Sequence, residues 1–164
     1  MEEPFPISAS GFYVVGLEAR VPLRESSEAH TSPTLEADPQ TARIPDLWKR
    51  LEQGDLAAQI PRRLAKGHPF CVRFDYGQSA YSVVLGYQVP SLEDVPHGLR
   101  GLYIPSGRYL VFPTASQQLA QTWEAIQRYF AQPGAPQRAF TYEYEEHFCP
   151  SAPCDEVRIY IALA

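Results

Sequence analysis

Residues 99–114, LRGLYIPSGRYLVFPT, decide how the fold is read. Pro105-Ser106-Gly107 is a turn between two strand-like pieces, Leu99 to Ile104 and Arg108 to Thr114; proline presets a turn dihedral and glycine accepts the unusual ones. A helix follows. Thr114 and Gln117 have the spacing of a capping box. Leu119, Thr122, Trp123, Ile126 and Phe130 then mark one buried face, and Gln132-Pro133-Gly134 stops the helix. Two more strands, Arg138 to Phe148 and Glu156 to Leu163, complete the second half.

The same order precedes it. Gly11 to Arg20, GFYVVGLEAR, is rich in β-branched and aromatic residues, and Gly16 inside it marks a bulge or a close backbone approach. Residues 22–41, rich in Pro, Ser, Thr and Glu, read as a loop. A helix starts near Ile44, with Pro45 in its first turn and Asp46 at the positive end of the dipole. Ile44, Leu47, Trp48 and Leu51 form one apolar stripe, and Gly54 ends it. Residues 55–67 add a short helical turn before Pro61. Pro69 to Tyr76 and Ala80 to Val89 are strands joined as a hairpin through Gly77, and Pro90 to Gly98 is a turn-rich link. The expected fold is therefore α+β: one domain over residues 1–164, made of two β-α-β-β repeats at about 11–90 and 99–164. Related by a pseudo-twofold, they form an antiparallel sheet with two helices on one face. The seam between the halves is the natural place for a ligand cleft.

A chain of 164 residues supports one proper core but not two. Its 16 prolines disfavour a helical bundle, because each interior proline removes a helix hydrogen bond. The net charge of -5 argues against a nucleic-acid grip, which needs a basic face; Arg62, Arg63 and Lys66 read as a solvated run. No apolar stretch reaches the ~20 residues of a membrane span, and the acidic Met1-Glu2-Glu3 start lacks a signal-peptide pattern. A cytoplasmic, soluble protein is expected. Cys71, Cys149 and Cys154 make no disulfide framework and read as free thiols. A zinc site would want a CxxC knuckle and a second pair, and HExxH, GxGxxG and GxxxxGK[ST] are all missing from the sequence. No metal and no cofactor is expected.

The chemistry concentrates in residues 138–147, RAFTYEYEEH. Strand alternation puts Phe140, Tyr142 and Tyr144 on one face and Thr141, Glu143 and Glu145 on the other. Glutamate is depleted in strands, so two in mid-strand have two readings. One is a solvated face. In the other, Glu143 points into an aromatic-lined cleft with no resident Arg or Lys partner, and attracts a cationic, partly apolar ligand. The rings that would line such a cleft are Tyr13, Tyr81, Tyr87, Tyr109, Phe112 and Trp123, with Glu145 as a second carboxylate; tyrosine suits clefts because its body is apolar and its hydroxyl seeks a partner. Trp48 and Trp123 also read as helix anchors in the core. Nucleophilic catalysis finds no local Ser, Cys and His signature, and His68 and His97 sit beside prolines. Glu143 with Glu145 or Glu156 is a pair that can activate a water.

Four stretches then carry a resemblance. FYVVGLEAR at 12–20 resembles the opening strand, and IPDLWKRL at 44–51 the first helix, of the effector-binding domain of AraC-type and MerR-type multidrug transcription regulators, the gyrase-inhibitor-like superfamily. Residues 81–114 are similar to its most recognisable stretch, a strand, a PxGL turn and an IPxGxYxVF hairpin. QTWEAIQRYF, YEYE and DEVRIYIAL resemble the closing helix and strands, so the likeness runs from about residue 11 to 163. It implies the two-repeat antiparallel fold, a cleft at the repeat interface, and aromatics around a buried Glu that take lipophilic cations. The family's Phe-Glu-x-Tyr matches Tyr142 to Glu145 with Glu143 at the acid and Glu145 in place of tyrosine; a register shifted by two puts Thr141 at the acid. No helix-turn-helix is expected, either before Phe12 or after Ala164. The resemblance thus implies a stand-alone binder or sequestering protein for small cationic amphipathic molecules, with a transcription co-regulator role in view. A hydrolase of electrophilic toxins using Glu143 is the second reading. The third is a protein-interaction module whose partner is gyrase or the transcription machinery. The carboxyl-terminal strand is expected to be an exposed edge available for homodimer pairing.

Overall fold

Ten elements of regular backbone and two short helical turns order the chain in the computed structural model, which describes residues 3–22, 44–64, 68–149 and 153–164. The loop expected over 22–41 lies outside them apart from Pro22. In chain order the elements are β1 (Phe5–Ala9), β2 (Phe12–Pro22), α1 (Ile44–Gln53), the one-turn α2 (Leu56–Gln59), β3 (Phe70–Phe74), β4 (Ala80–Val89), β5 (Arg100–Ile104) and β6 (Gly107–Thr114). A 3-10 turn (Ser116–Gln118), α3 (Leu119–Ala131), β7 (Arg138–His147) and β8 (Val157–Leu163) follow. All eight strands pair antiparallel in one sheet of order β1-β6-β8-β7-β3-β4-β2-β5. Strands β3, β4 and β2 with α1 form the first repeat; β7, β8 and β6 with α3 form the second. The halves meet at the β3–β7 pair.

The order of the strands dictates the sheet's shape. Two residues, Ser10 and Gly11, join β1 at one edge to β2 six positions away; Pro105 and Ser106 join β5 at the other edge to β6. On a flat sheet these ends would stand about 29 Å apart, while two linking residues reach only about 11 Å. The sheet must therefore roll until its edges approach. Accordingly Ile7 and Ala9 of β1 share one cluster with Leu102 and Ile104 of β5, around Val14, Phe70, Val72, Val84, Val111 and Tyr144 from between. This inner core lies on the concave face. On the outer face α1 and α2 cover the first half through Leu47, Leu51, Leu56 and Ile60, and α3 covers the second through Ile126 against Phe112, Ile159 and Ile161.

Several expectations are corrected. β1 was not anticipated, because Pro4 and Pro6 make the segment read as non-strand; an edge position is where proline is tolerated. Residues 99–114 are not a hairpin: the chain turns at Pro105-Ser106, but β5 pairs with β2, and β6 pairs with β1 and β8. β8 is not an edge, being paired on both sides, so it offers no strand for dimer pairing. Thr114 does not cap α3; it ends β6 and its hydroxyl bonds Thr122 at 2.7 Å. Cys149 and Cys154 are not free thiols but a disulfide, with Cα atoms 5.5 Å apart where the β7–β8 connection turns back; Cys71 is free and buried.

Gly16 of β2 faces Gly86 of β4 directly, and of the two sequence readings the close approach is the one realised. A Cβ on Gly16 would lie 2.1 Å from the Leu85 carbonyl oxygen, and one on Gly86 2.0 Å from that of Val15. Gly16→Ala or Gly86→Ala is expected to lower stability by about 3 kcal/mol, read by urea denaturation. Gly107→Ala, which meets nothing within 4 Å, should stay within about 0.5 kcal/mol of the parent.

Candidate functional site

Each helix covers its own half of the outer face, and the seam strands β3 and β7 lie between them. Along the seam a cleft of about 1640 Å³ opens, walled by Trp48 of α1 and Trp123 and Phe130 of α3. Its floor carries Arg73, Tyr81, Glu143 and Glu145. The strand period explains the floor. Arg73 of β3 pairs in register with Glu143 of β7, and Cys71 with Glu145, so residues two apart on each strand face the helices together.

Glu143 is fully buried. Tyr76 donates its hydroxyl to Oε1 at 2.6 Å, Arg138 donates Nη2 to the same oxygen at 2.6 Å, and Arg138 Nε donates to Oε2. The expectation that no Arg or Lys attends Glu143 is thus corrected. In a regular strand residues five apart point to opposite faces. Between Arg138 and Glu143, however, β7 advances five residues while β8 advances from Leu163 back to Ile161. That bulge, with Phe140 at φ 55°, returns Arg138 to the carboxylate. Burial first, and then the adjacent Glu143, push the Tyr76 phenol far above its ordinary value, so it remains a protonated donor.

Glu145 is equally enclosed. Trp123 Nε1 donates to Oε2 at 2.8 Å, His147 Nε2 lies 2.8 Å from Oε1, and Arg73 Nη2 is 3.8 Å from Oε2. Burial acts to raise its pKa, but the hydrogen bond and charge of His147, then Arg73 and the Trp123 N–H, together hold it below the ordinary carboxylate value. The Arg73 guanidinium lies over the Trp123 ring at 3.9 Å and faces Tyr81 at 5.3 Å, a cation–π geometry. The cleft floor is therefore a set of charges paired inside aromatic walls. Among the described residues no group of His, Cys, Asp or Glu is placed to hold a metal ion, and no helix is long and apolar enough to cross a membrane.

The profile of the Cass2 family, integron-associated effector binding proteins, matches residues 9–163. The chain belongs to this family. The fold recurs in solved structures. An integron cassette protein from Vibrio cholerae is 23% identical with a TM-score of 0.70, covering 98% of this chain and 95% of its own. A putative bacterial transcription regulation protein from Staphylococcus aureus is 14% identical, TM-score 0.68, covering 98% and 97%. SAV2435, solved bound to tetraphenylphosphonium, is 14% identical, TM-score 0.74, covering 99% and 94%. No curated protein matches the chain. A Cass2-family protein is an effector-binding, small-molecule-binding protein, and the suspected effector-binding superfamily is the right one.

In this Cass2-family chain Glu143, Glu145, Tyr81 and Trp123 are brought together in the cleft. Tyr13, Tyr87, Tyr109 and Phe112 are placed elsewhere. Tyr13 packs on Tyr103 at 5.2 Å beside β5, and Tyr87 is buried at the far end of the first repeat's core. Tyr109 faces the concave side, donating to the Pro105 carbonyl at 2.9 Å, and burial pushes its phenol up to about 12. Phe112 lies fully buried under α3 against Tyr129. Thr141 is exposed, so the acids that β7 turns to the cleft are Glu143 and Glu145. Tyr76, Arg73, Arg138 and Phe140 were missed. Of these only Arg73 carried a signal, by sharing strand parity with Cys71 in an apolar strand.

Because the folded state holds Glu145 below its ordinary value of 4.5, the stability it contributes is complete above that pH and lost as pH falls through the lower, folded value. Glu145→Gln should flatten the fall in stability below pH 4.5, measured by urea denaturation across pH. At neutral pH Trp123→Phe, which removes one donor to Glu145, should cost about 1–2 kcal/mol.

Proposed function

We propose that the cleft is the effector site of a binding protein for small cationic amphipathic molecules, with Glu143 as the countercharge. The observation that carries this reading is a fully buried carboxylate at the base of a cleft walled by Trp48, Trp123, Phe130 and Phe140. Aromatic faces attract cations, most strongly away from water, and a buried carboxylate supplies the charge that a purely apolar pocket lacks. Charged groups lining the cleft are three acids, Glu124, Glu143 and Glu145, against Arg73 and Arg138. The tetraphenylphosphonium carried by SAV2435, a protein of the same fold, supports a lipophilic cation as the class. Glu143 gives its oxygens to Arg138 and Tyr76, which suits recognition better than activation of a water. Capture without turnover fits a sequestering or co-regulatory protein.

A thermal-shift series with tetraphenylphosphonium, a rhodamine and the neutral triphenylphosphine oxide tests this. A ligand at a hundredfold over its Kd adds about 2.7 kcal/mol, a rise of roughly 5–10 °C for a chain of this size. The cations should produce it and the neutral compound should not. Glu143→Gln should weaken cation binding at least tenfold by calorimetry; equal affinity would remove the countercharge role.

A further inference from the structure

Two of the cleft's cation positions are already filled from within, and one of them is filled in a way that specifies a shape. The Arg138 guanidinium lies 4.4 Å from the centroid of Phe140 and 5.8 Å from that of Phe130. It meets Glu143 through two N–H groups, one to each oxygen, while its side chain keeps 12% of its surface exposed. It has the contacts expected of a bound aromatic-cage ligand, and its long side chain springs from a bulged stretch of β7. We propose that Arg138 is a resident ligand in the cation site, and that the effectors of this protein are planar amidinium- or guanidinium-bearing aromatic compounds that replace it on Glu143.

The inference rests on the reading of the cleft as a cation site and names the ligand class. Glu143 has no exposed surface while Arg138 covers it, so a ligand seated in place of Arg138 covers the carboxylate itself and must supply the hydrogen bonds that Arg138 leaves. A buried acceptor without a donor is costly. A quaternary phosphonium brings charge but no N–H, and displacing Arg138 with it strands two acceptor positions. A planar amidinium or guanidinium restores the bidentate fork, and an aromatic body attached to it fills the space between the tryptophan walls. Tyr76 needs no change, since its hydroxyl holds the remaining Oε1 position. Compounds that do not displace Arg138 bind elsewhere in the cleft.

The test uses phenylguanidinium, its neutral isostere phenylurea, and tetraphenylphosphonium, by calorimetry and by NMR of the arginine Nε–H signals. On the parent protein, phenylguanidinium should shift the Arg138 Nε–H resonance out of its hydrogen-bonded position, and saturating tetraphenylphosphonium should leave it there. Arg138→Ala should bind phenylguanidinium at least tenfold more tightly than the parent, tetraphenylphosphonium within threefold, and phenylurea no better than before. The parent NMR experiment decides the matter even where Arg138→Ala does not fold. If phenylguanidinium leaves the Arg138 signal in place, or if both cations gain equally in Arg138→Ala, the resident-ligand inference falls while cation binding in the cleft stands. If neither cation binds the parent or Arg138→Ala, the cation reading itself falls.

Discussion

Two links of two residues each govern this molecule. Ser10-Gly11 and Pro105-Ser106 connect strands that are six places apart in the sheet order, and no flat sheet satisfies both. Rolling the sheet brings β1 and β5 toward one another and lets the inward side chains of all eight strands pack on themselves. The concave face is thereby used up as core. Only the convex face remains for the helices, and each helix is long enough to cover its own repeat. The uncovered strip is the β3–β7 seam, so the position of the cleft is a consequence of the strand order.

Placing a cleft over a seam has an electrostatic consequence. Every outward residue of β3 and β7 must tolerate being half core and half wall. The chain puts Arg73, Glu143, Glu145 and His147 there and satisfies them against one another and against Tyr76, Trp123 and Arg138. Such pairing is weak in net stability, because desolvating both charges offsets most of their attraction, yet removing one partner costs about 3–5 kcal/mol. Any group that took the place of one of these partners would have to supply the hydrogen bonds it left unmade.

Much of the fold was legible in the order of the elements. The apolar stripes of Ile44 to Leu51 and Leu119 to Phe130 are local periodicities, and the strand from Ala80 to Val89 is marked by its β-branched and aromatic residues. Glu143 and Glu145 were legible as two carboxylates in a strand that should avoid them. The inner-core tyrosine Tyr109 and the helix-covered Phe112 were not separable from cleft residues, because alternation tells which residues share a face but not which face of a rolled sheet is the cleft. β1 was hidden by Pro6 and by Pro4 just before it; proline argues against a central strand and says nothing against an edge.

The sequence by itself determined the two repeats, the helix faces, the strand parities and the presence of acids among rings, since each follows from a period of two or 3.6 residues along a local stretch. The tertiary structure alone decided which strands are neighbours, which face is closed into core, and which cation meets each acid. Arg138 shows the physical reason most plainly. Five residues of β7 run against two of β8, and that mismatch, set by pairing with a strand about twenty residues further along the chain, reverses the side of the sheet to which a side chain turns.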